Sequence, residues 1–375
     1  MNPFFLSPHT PKACFCDREA ETQTMIRYLE NGSDITLISP RRFGKTGLIY
    51  HVFDTLKEKK ACFETYYVDI YATRSFDDFV TQLAEAVYGG LEGKASLRAF
   101  LDILKSVRPV VSPDPISGVP QFSLTFQSDL EKRYSLKAIM NYLEKRNKRV
   151  IVAIDEFQQV RSYAGVQFEA LLRSCIQPLQ NVLFIFSGSK RHVMSDMFTG
   201  EKSPFYESAA LFPLDKISRD SYFTFIKNQF ENNGKHILDD AVEVILEWTR
   251  RHTYYTQFLC NRVFQTARKE VTVQDVFLQA SIILDENTDA FLERRNLLTA
   301  KQWDYLIALA KEGTLSKPTS SGFLQKYHLG APSSAARTLD ALIEKEMVLE
   351  NKMPEGSTYC VYNVFLSRWL ERLSI

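Results

Sequence analysis

At 375 residues, 45% of them hydrophobic and 24% charged, the chain has apolar material enough for two or three globular domains. Its 46 Lys+Arg and 45 Asp+Glu nearly cancel, which excludes a global field drawing it to nucleic acid or to an anionic membrane. Apolar runs such as Val150–Ile154 and Val182–Phe186 fall far short of the roughly 20 residues that span a bilayer, so no membrane partner is expected. The opening "MNPFFLSPHTPK" lacks a basic start followed by an apolar stretch and does not read as a signal peptide. Six scattered cysteines in a chain of this size are most economically reduced thiols, which predicts a cytoplasmic protein. Cys14 and Cys16 have no second ligand pair nearby and are set aside as a metal site.

In chain order, residues 35–39 ("ITLIS") predict a short buried strand, and Leu48, Ile49, Val52, Phe53 and Leu56 predict a helix beginning at Lys45. A second strand is expected within 63–72, then a helix over 76–90. The proline-rich "PVVSPDPISGVPQF" (109–122) predicts an irregular excursion or hairpin. A helix at 129–147 leads into a strand at 149–157, another helix, and an apolar strand at 181–189. Strands apolar throughout that alternate with helices imply a parallel sheet covered on both faces. The chain is therefore divided into an α/β core at 1–215, a purely helical lid at 216–295 and a winged helix-turn-helix at 296–375. The last part has helices expected at 300–311, 319–327 and 333–346, the third capped by Ser333 or Ser334, then a hairpin with Pro-Glu-Gly at its turn.

Chemistry concentrates at "ISPRRFGKTGLI" (38–49), between the first strand and its helix. A polyphosphate is gathered most economically at a helix N-terminus, where free N–H groups converge. In G-x-x-x-x-G-K-[ST] the second glycine permits close backbone approach, the lysine reaches the β/γ oxygens and the hydroxyl holds Mg2+. Gly44, Lys45 and Thr46 fill those roles, within a loop made of Ser39, Pro40, Arg41, Arg42, Phe43 and Gly47 besides. Ser39 replaces the first glycine and Pro40 biases it toward an extended conformation, a change of route without loss of a phosphate ligand. "VIVAIDE" follows, with Asp155 lying 110 residues beyond Lys45. Asp155 is expected to hold the metal and Glu156 to act as general base toward water. The plain alternative is an Asp-Glu pair that ends a strand and caps the next helix. In "FSGS" (186–189), Ser189, or failing it Ser187, is the expected γ-phosphate sensor, against a simple strand-to-loop turn. His51 and His252 read as packing or surface residues rather than ligands.

With these motifs in place the chain resembles the archaeal and bacterial P-loop ATPases of the AAA+/STAND type, which pair a PRR-x-GKT loop with a C-terminal winged helix. "FCDREAET" (15–22) is similar to their entry motif, which implies Arg18 and Glu19 near the adenine side. "SPRRFGKTGLI", "VIVAIDEFQ" and "LFIFSGS" resemble their Walker A, Walker B and sensor strands, "HTYYTQFL" (252–259) their lid segment and "YNVFLSRWL" (362–370) their terminal motif. The resemblance implies ATP/ADP and Mg2+ as cofactors and a P-loop NTPase sheet with an additional strand between Walker A and Walker B. The chain departs from it at three places. The lid's glycine and proline are Arg251 and Thr253, Glu207 and Ser208 stand where an arginine is often found, and the terminal Asp-Pro is Asn363-Val364. Arg191 and Arg219 are left as candidates for a stimulating arginine.

An arginine finger is worth about 10³–10⁵ in rate, so a chain without an evident one is expected to turn over slowly. That favours a nucleotide-dependent switch with a protein partner. A DNA-binding protein acting through 296–375 is the alternative, but nine Lys/Arg against eight Asp/Glu there, and Arg337 alone early in the reading helix, make a weak footprint. A scaffold that holds ADP without turnover is the third reading, opposed by the joint presence of Lys45, Thr46, Asp155 and Glu156.

Overall fold

A computed structural model describes residues 2–59, 63–113, 120–163, 167–266, 269–353 and 356–373. The chain forms two compact units, one of Ser7–Lys216, the other of everything from Ile217 onward together with the first six residues.

The first unit runs α1 (Glu19–Glu30), β1 (Ile35–Ile38), α2 (Lys45–Glu58), β2 (Phe63–Asp69), α3 (Phe76–Gly90), α4 (Lys94–Ile103), β3 (Val110–Pro113) and β4 (Pro120–Ser123). It continues with α5 (Asp129–Glu144), β5 (Arg149–Asp155), a 3-10 segment Phe157–Ser162, α6 (Phe168–Ile176), β6 (Val182–Gly188), α7 (Arg191–Thr199) and β7 (Ala210–Pro213). Five parallel strands lie in the order β2-β5-β6-β1-β7, so β6 separates the strand that feeds the glycine-containing loop from the one that ends in Asp155. This is the additional strand expected from the sequence.

Alternation along the strands sorts side chains into two cores. Val150, Val152 and Ile154 of β5 pack with α3, α5 and α6 on one face, while Ile151 and Ala153 pack with α1 and α2 on the other. Ser75 and Ser128 cap α3 and α5 by accepting the N–H groups of Asp78 and Glu131. The 109–122 excursion is the antiparallel hairpin β3–β4, whose turn lies outside the described residues. Strand β7 and helix α4 were not foreseen. The strand has four residues, none of them buried, too few to leave a period; α4 fully buries only Phe100, yet Leu97, Phe100 and Leu101, with Leu104 just beyond it, recur at helical spacing and pack on the core.

The second unit comprises α8 (Arg219–Asn232), β8 (His236–Ile237), α9 (Asp239–Trp248), α10 (Thr253–Thr266), β9 (Glu270–Val271), α11 (Val273–Glu286) and α12 (Thr288–Asn296). Helices α13 (Ala300–Glu312), α14 (Ser321–Lys326) and α15 (Pro332–Glu344) follow, then β10 (Val348–Met353), β11 (Gly356–Val361) and α16 (Val364–Leu370). The segment read as purely helical contains one parallel pair, β8 with β9, of two residues each, too short to leave a period in the sequence. Helix α15 starts earlier than expected: Pro332 occupies its first turn and Ala331 is the N-cap, not Ser333 or Ser334. The turn residues Pro354 and Glu355 of the β10–β11 hairpin lie outside the described residues.

The first six residues depart from the sequence division, which placed them with the core. Phe4 is buried among Phe225, Phe230 and Phe264, and Asn2 and Asn261 exchange side-chain bonds with the backbone of Asn261 and Phe4. Within this unit the two motifs at 252–259 and 362–370 meet. Phe365 packs against Tyr255 (4.6 Å between ring centroids), Phe258 (5.4 Å) and Trp248 (5.6 Å). Asn363 caps α16 by accepting the Leu366 N–H at 3.0 Å, so asparagine in place of aspartate keeps the cap.

Candidate functional site

Parallel strands deliver the residues that follow them to one edge of the sheet. Ser39 leaves β1, Asp155 ends β5 and Ser189 leaves β6. Ser39 donates its N–H to the Gly188 carbonyl at 3.4 Å, holding the P-loop exit against β6.

Gly44 sits at φ 95° as the N-cap of α2, a left-handed conformation that favours glycine. Arg42, at φ 63°, makes the same kind of turn two residues earlier. Lys45 is 5% exposed, and its Nζ donates to the carbonyls of Ser39 (3.0 Å) and Pro40 (3.2 Å), drawing both ends of the loop together. Burial pushes its ammonium below the usual lysine range, opposed by the Asp155 and Glu156 carboxylates; the cations Arg41 and Arg191 add to the lowering. Arg191 is thus within electrostatic reach of the loop. Phe43 is buried and Arg41 lies over the exposed ring of Tyr71 at 5.8 Å.

Asp155 continues the face of Ile151 and Ala153, which is the α2 face, and this alternation brings it to the loop. Thr46 Oγ1 donates to Asp155 Oδ2 at 2.7 Å. A hydroxyl and a carboxylate side by side are hard oxygen donors, a set that suits Mg2+, which is ordinarily held by one or two protein oxygens with water and phosphate completing the shell. Two further donors hold Asp155: the Glu156 N–H on Oδ1 (3.0 Å) and the Tyr67 hydroxyl on Oδ2 (2.8 Å). Burial and the Asp155 charge raise the Tyr67 phenol far above the usual tyrosine range, so it stays a donor.

Glu156 turns out of the strand at φ 56°. Its Oε2 accepts Ser189 Oγ at 2.7 Å and also the Gln158 side-chain amide. Gln158 lies 3.4 Å from Ser189 Oγ as well, which closes a three-membered cluster. Gly188 makes room for it: a Cβ there would stand 2.4 Å from Met194 and 2.5 Å from Gln158 Oε1. Ser187, the second choice for this place, is fully buried on β6 and has no hydrogen-bond partner among the described residues.

Arg18 is buried at the start of α1, where its guanidinium bonds Glu21 and the Asp215 carbonyl (2.6 Å), tying α1 to the chain beyond β7. Arg219 is in the second unit, in a two-point ion pair with Glu243. Sequence reasoning missed Tyr67, Gln158 and Gly188. Gln158 stands inside the quoted "VIVAIDEFQ"; Tyr67 has no motif around it, and only strand register could have found it.

Residues 15–255 match the family described as "ATPase domain predominantly from Archaea". The chain belongs to that ATPase family. Residues 289–372 match a second family, described as "Probable winged helix domain". No curated protein matches the chain. Among solved structures, the Walker-type ATPase PABY2304 of Pyrococcus abyssi has a similar fold, with TM-score 0.66 and 18% identity over 98% of this chain and 99% of that one. ORC2 of Aeropyrum pernix, in ADPNP-ADP complexes, has TM-score 0.55 and 14% identity over 94% and 92% of the two chains. ORC1 of Aeropyrum pernix, in complex with DNA, has TM-score 0.54 and 13% identity over 98% and 96%. The ATPase therefore shares its fold with these P-loop proteins and carries a C-terminal winged helix. None of the helices among its described residues is long and apolar enough to cross a membrane.

Proposed function

We propose that this ATPase is an Mg2+-dependent switch of low intrinsic turnover, in which ATP or ADP governs the arrangement of a lid (216–295) and a winged helix (296–375) relative to the core. The observation that carries this reading is the contact of Thr46 with Asp155 beside the Lys45 clamp. In it, residues 39–47 surround the polyphosphate, Lys45 neutralises it and Arg18 borders the base. Thr46 and Asp155 hold Mg2+, which supplies charge neutralisation when bound. Glu156 takes the proton of the attacking water, and Ser189 fixes the glutamate.

Slow turnover is supported by Glu207 and Ser208 in the segment after α7 and by the engagement of Arg219 with Glu243. Arg191, whose charge reaches Lys45 as that of Arg41 does, is our candidate for a cis cation at the γ-phosphate. For the winged helix we favour a protein partner in the cytoplasm. The DNA reading draws on the fold shared with ORC1, but the early cation of α15, Arg337, is turned back to its own helix, on the Ser333 carbonyl at 3.3 Å.

The test is thermal unfolding with Mg-ATP. Saturation at a hundred times Kd should stabilise the wild type by about 2.7 kcal/mol. Lys45→Ala should abolish that gain, whereas Glu156→Gln should keep it and lower turnover by about 10²–10⁴. An undiminished gain in Lys45→Ala removes the site, and persistent hydrolysis in Glu156→Gln moves the base elsewhere.

A further inference from the structure

Tyr67 lies on β2, the edge strand beside β5, where the register pairs Tyr67 with Ala153 and Asp69 with Asp155. Alternation therefore puts its side chain on the α2 face, the face of Asp155. Its hydroxyl reaches Asp155 Oδ2 at 2.8 Å. The other two donors to this carboxylate differ in kind. Thr46 rides on the P-loop helix, and the Glu156 N–H belongs to the neighbouring residue. Tyr67 alone of the three carries an anchor across from an adjacent strand, independent of loop and helix. Its ring is braced in turn by Tyr50 of α2, 4.9 Å away at 38°, and Tyr50 packs against His9 at 4.0 Å. The ring position is thus set by packing, which leaves the hydroxyl free to act on the carboxylate.

We propose that Tyr67 is a positioning residue that aims Asp155 at the divalent cation and so sets how much Mg2+ adds to nucleotide affinity. This rests on the reading of Thr46 and Asp155 as the metal-holding pair. Partners behind a metal ligand fix its orientation, and their loss typically costs about 10- to 100-fold in metal affinity. Phenylalanine keeps the ring against Tyr50 and removes only the donor.

The full chain is titrated with a fluorescent ADP analogue in excess Mg2+ and in EDTA, as wild type, Tyr67→Phe, Asp155→Asn and the double variant. We expect Tyr67→Phe to bind in EDTA within about twofold of wild type, and its Mg2+-dependent gain to fall by about tenfold or more. The double variant should match Asp155→Asn, since both act through one carboxylate. A merely structural tyrosine would weaken binding equally with and without Mg2+, and that outcome overturns the proposal. So does a full Mg2+ gain in Tyr67→Phe while Asp155→Asn loses it, which spares the metal site itself. A full gain in Asp155→Asn as well overturns the metal reading and this proposal together.

Discussion

Ser189 Oγ donates to Glu156 Oε2 at 2.7 Å, from the end of one parallel strand to the residue that follows its neighbour. The bond holds a carboxylate whose backbone is in the left-handed region at φ 56°, a conformation that costs on the order of 1 kcal/mol or more and persists only when its surroundings hold it.

Removing that hold should affect turnover more than binding. Ser189→Ala is expected to lower kcat by about 10- to 100-fold, in line with loss of a hydrogen bond to a charged group. Nucleotide Kd should stay within about threefold, because Ser189 bonds Glu156, the proposed base, and not the loop. Single-turnover hydrolysis beside equilibrium binding separates the two, and an equal loss in both would assign Ser189 to binding.

Asp34, just before β1, accepts the Phe184 N–H at 2.8 Å, and burial raises its carboxyl to about 6 despite that bond and the charge of Arg173. A raised folded value means that the unfolded chain loses this proton first. Asp34 therefore costs nothing below about pH 4, costs progressively more between there and pH 6, and exacts its full penalty above. Asp34→Asn keeps an acceptor for Phe184 and removes the charge. It should stabilise the first unit by about 1–2 kcal/mol at pH 7.5, the full shift being discounted for partial exposure, and by almost nothing at pH 4. Urea unfolding at the two pH values checks this; a gain independent of pH would refute it.

Arg250 and Arg251 both adopt left-handed backbone, at φ 54° and 53°. Arg250 repays the strain by bonding Ser367 Oγ (2.9 Å) and Glu371 (3.2 Å) on α16. The Arg251 side chain makes a longer bond, to the Ile217 carbonyl at 3.4 Å. Arg251→Gly should therefore raise the stability of the second unit by about 0.5–1 kcal/mol, and Arg250→Gly should lower it by at least as much. Denaturant midpoints of the two variants should move in opposite directions.

Phe365 ties the lid motif to the terminal motif through three aromatic rings. Phe365→Ala should cost the second unit about 3–4 kcal/mol. Amide hydrogen exchange should accelerate in α10 and α16 and stay slow in β5 and β6. Uniform acceleration across both units would contradict a local role.

Much of this protein is legible in its sequence. The site's loop is, because Gly44, Lys45 and Thr46 are adjacent and phosphate chemistry restricts that spacing to few residue types. The strand that ends in Asp155 is, because a short run of apolar, largely β-branched residues suits a strand buried on both faces. Ser333 and Ser334 misled because a proline just ahead of them was already able to start the helix.

The sequence alone determined the class of fold and the chemistry of the loop, since both depend on residues close together in the chain. Only the tertiary structure decided which side chains reach Asp155 and Glu156. Tyr67 meets Asp155 through parallel register, Gln158 and Ser189 meet Glu156 through the turn after β5 and the glycine beside it, and Phe4 joins Phe230 from the far end of the chain. Contacts of that kind depend on strand order and packing, which local periodicity does not encode.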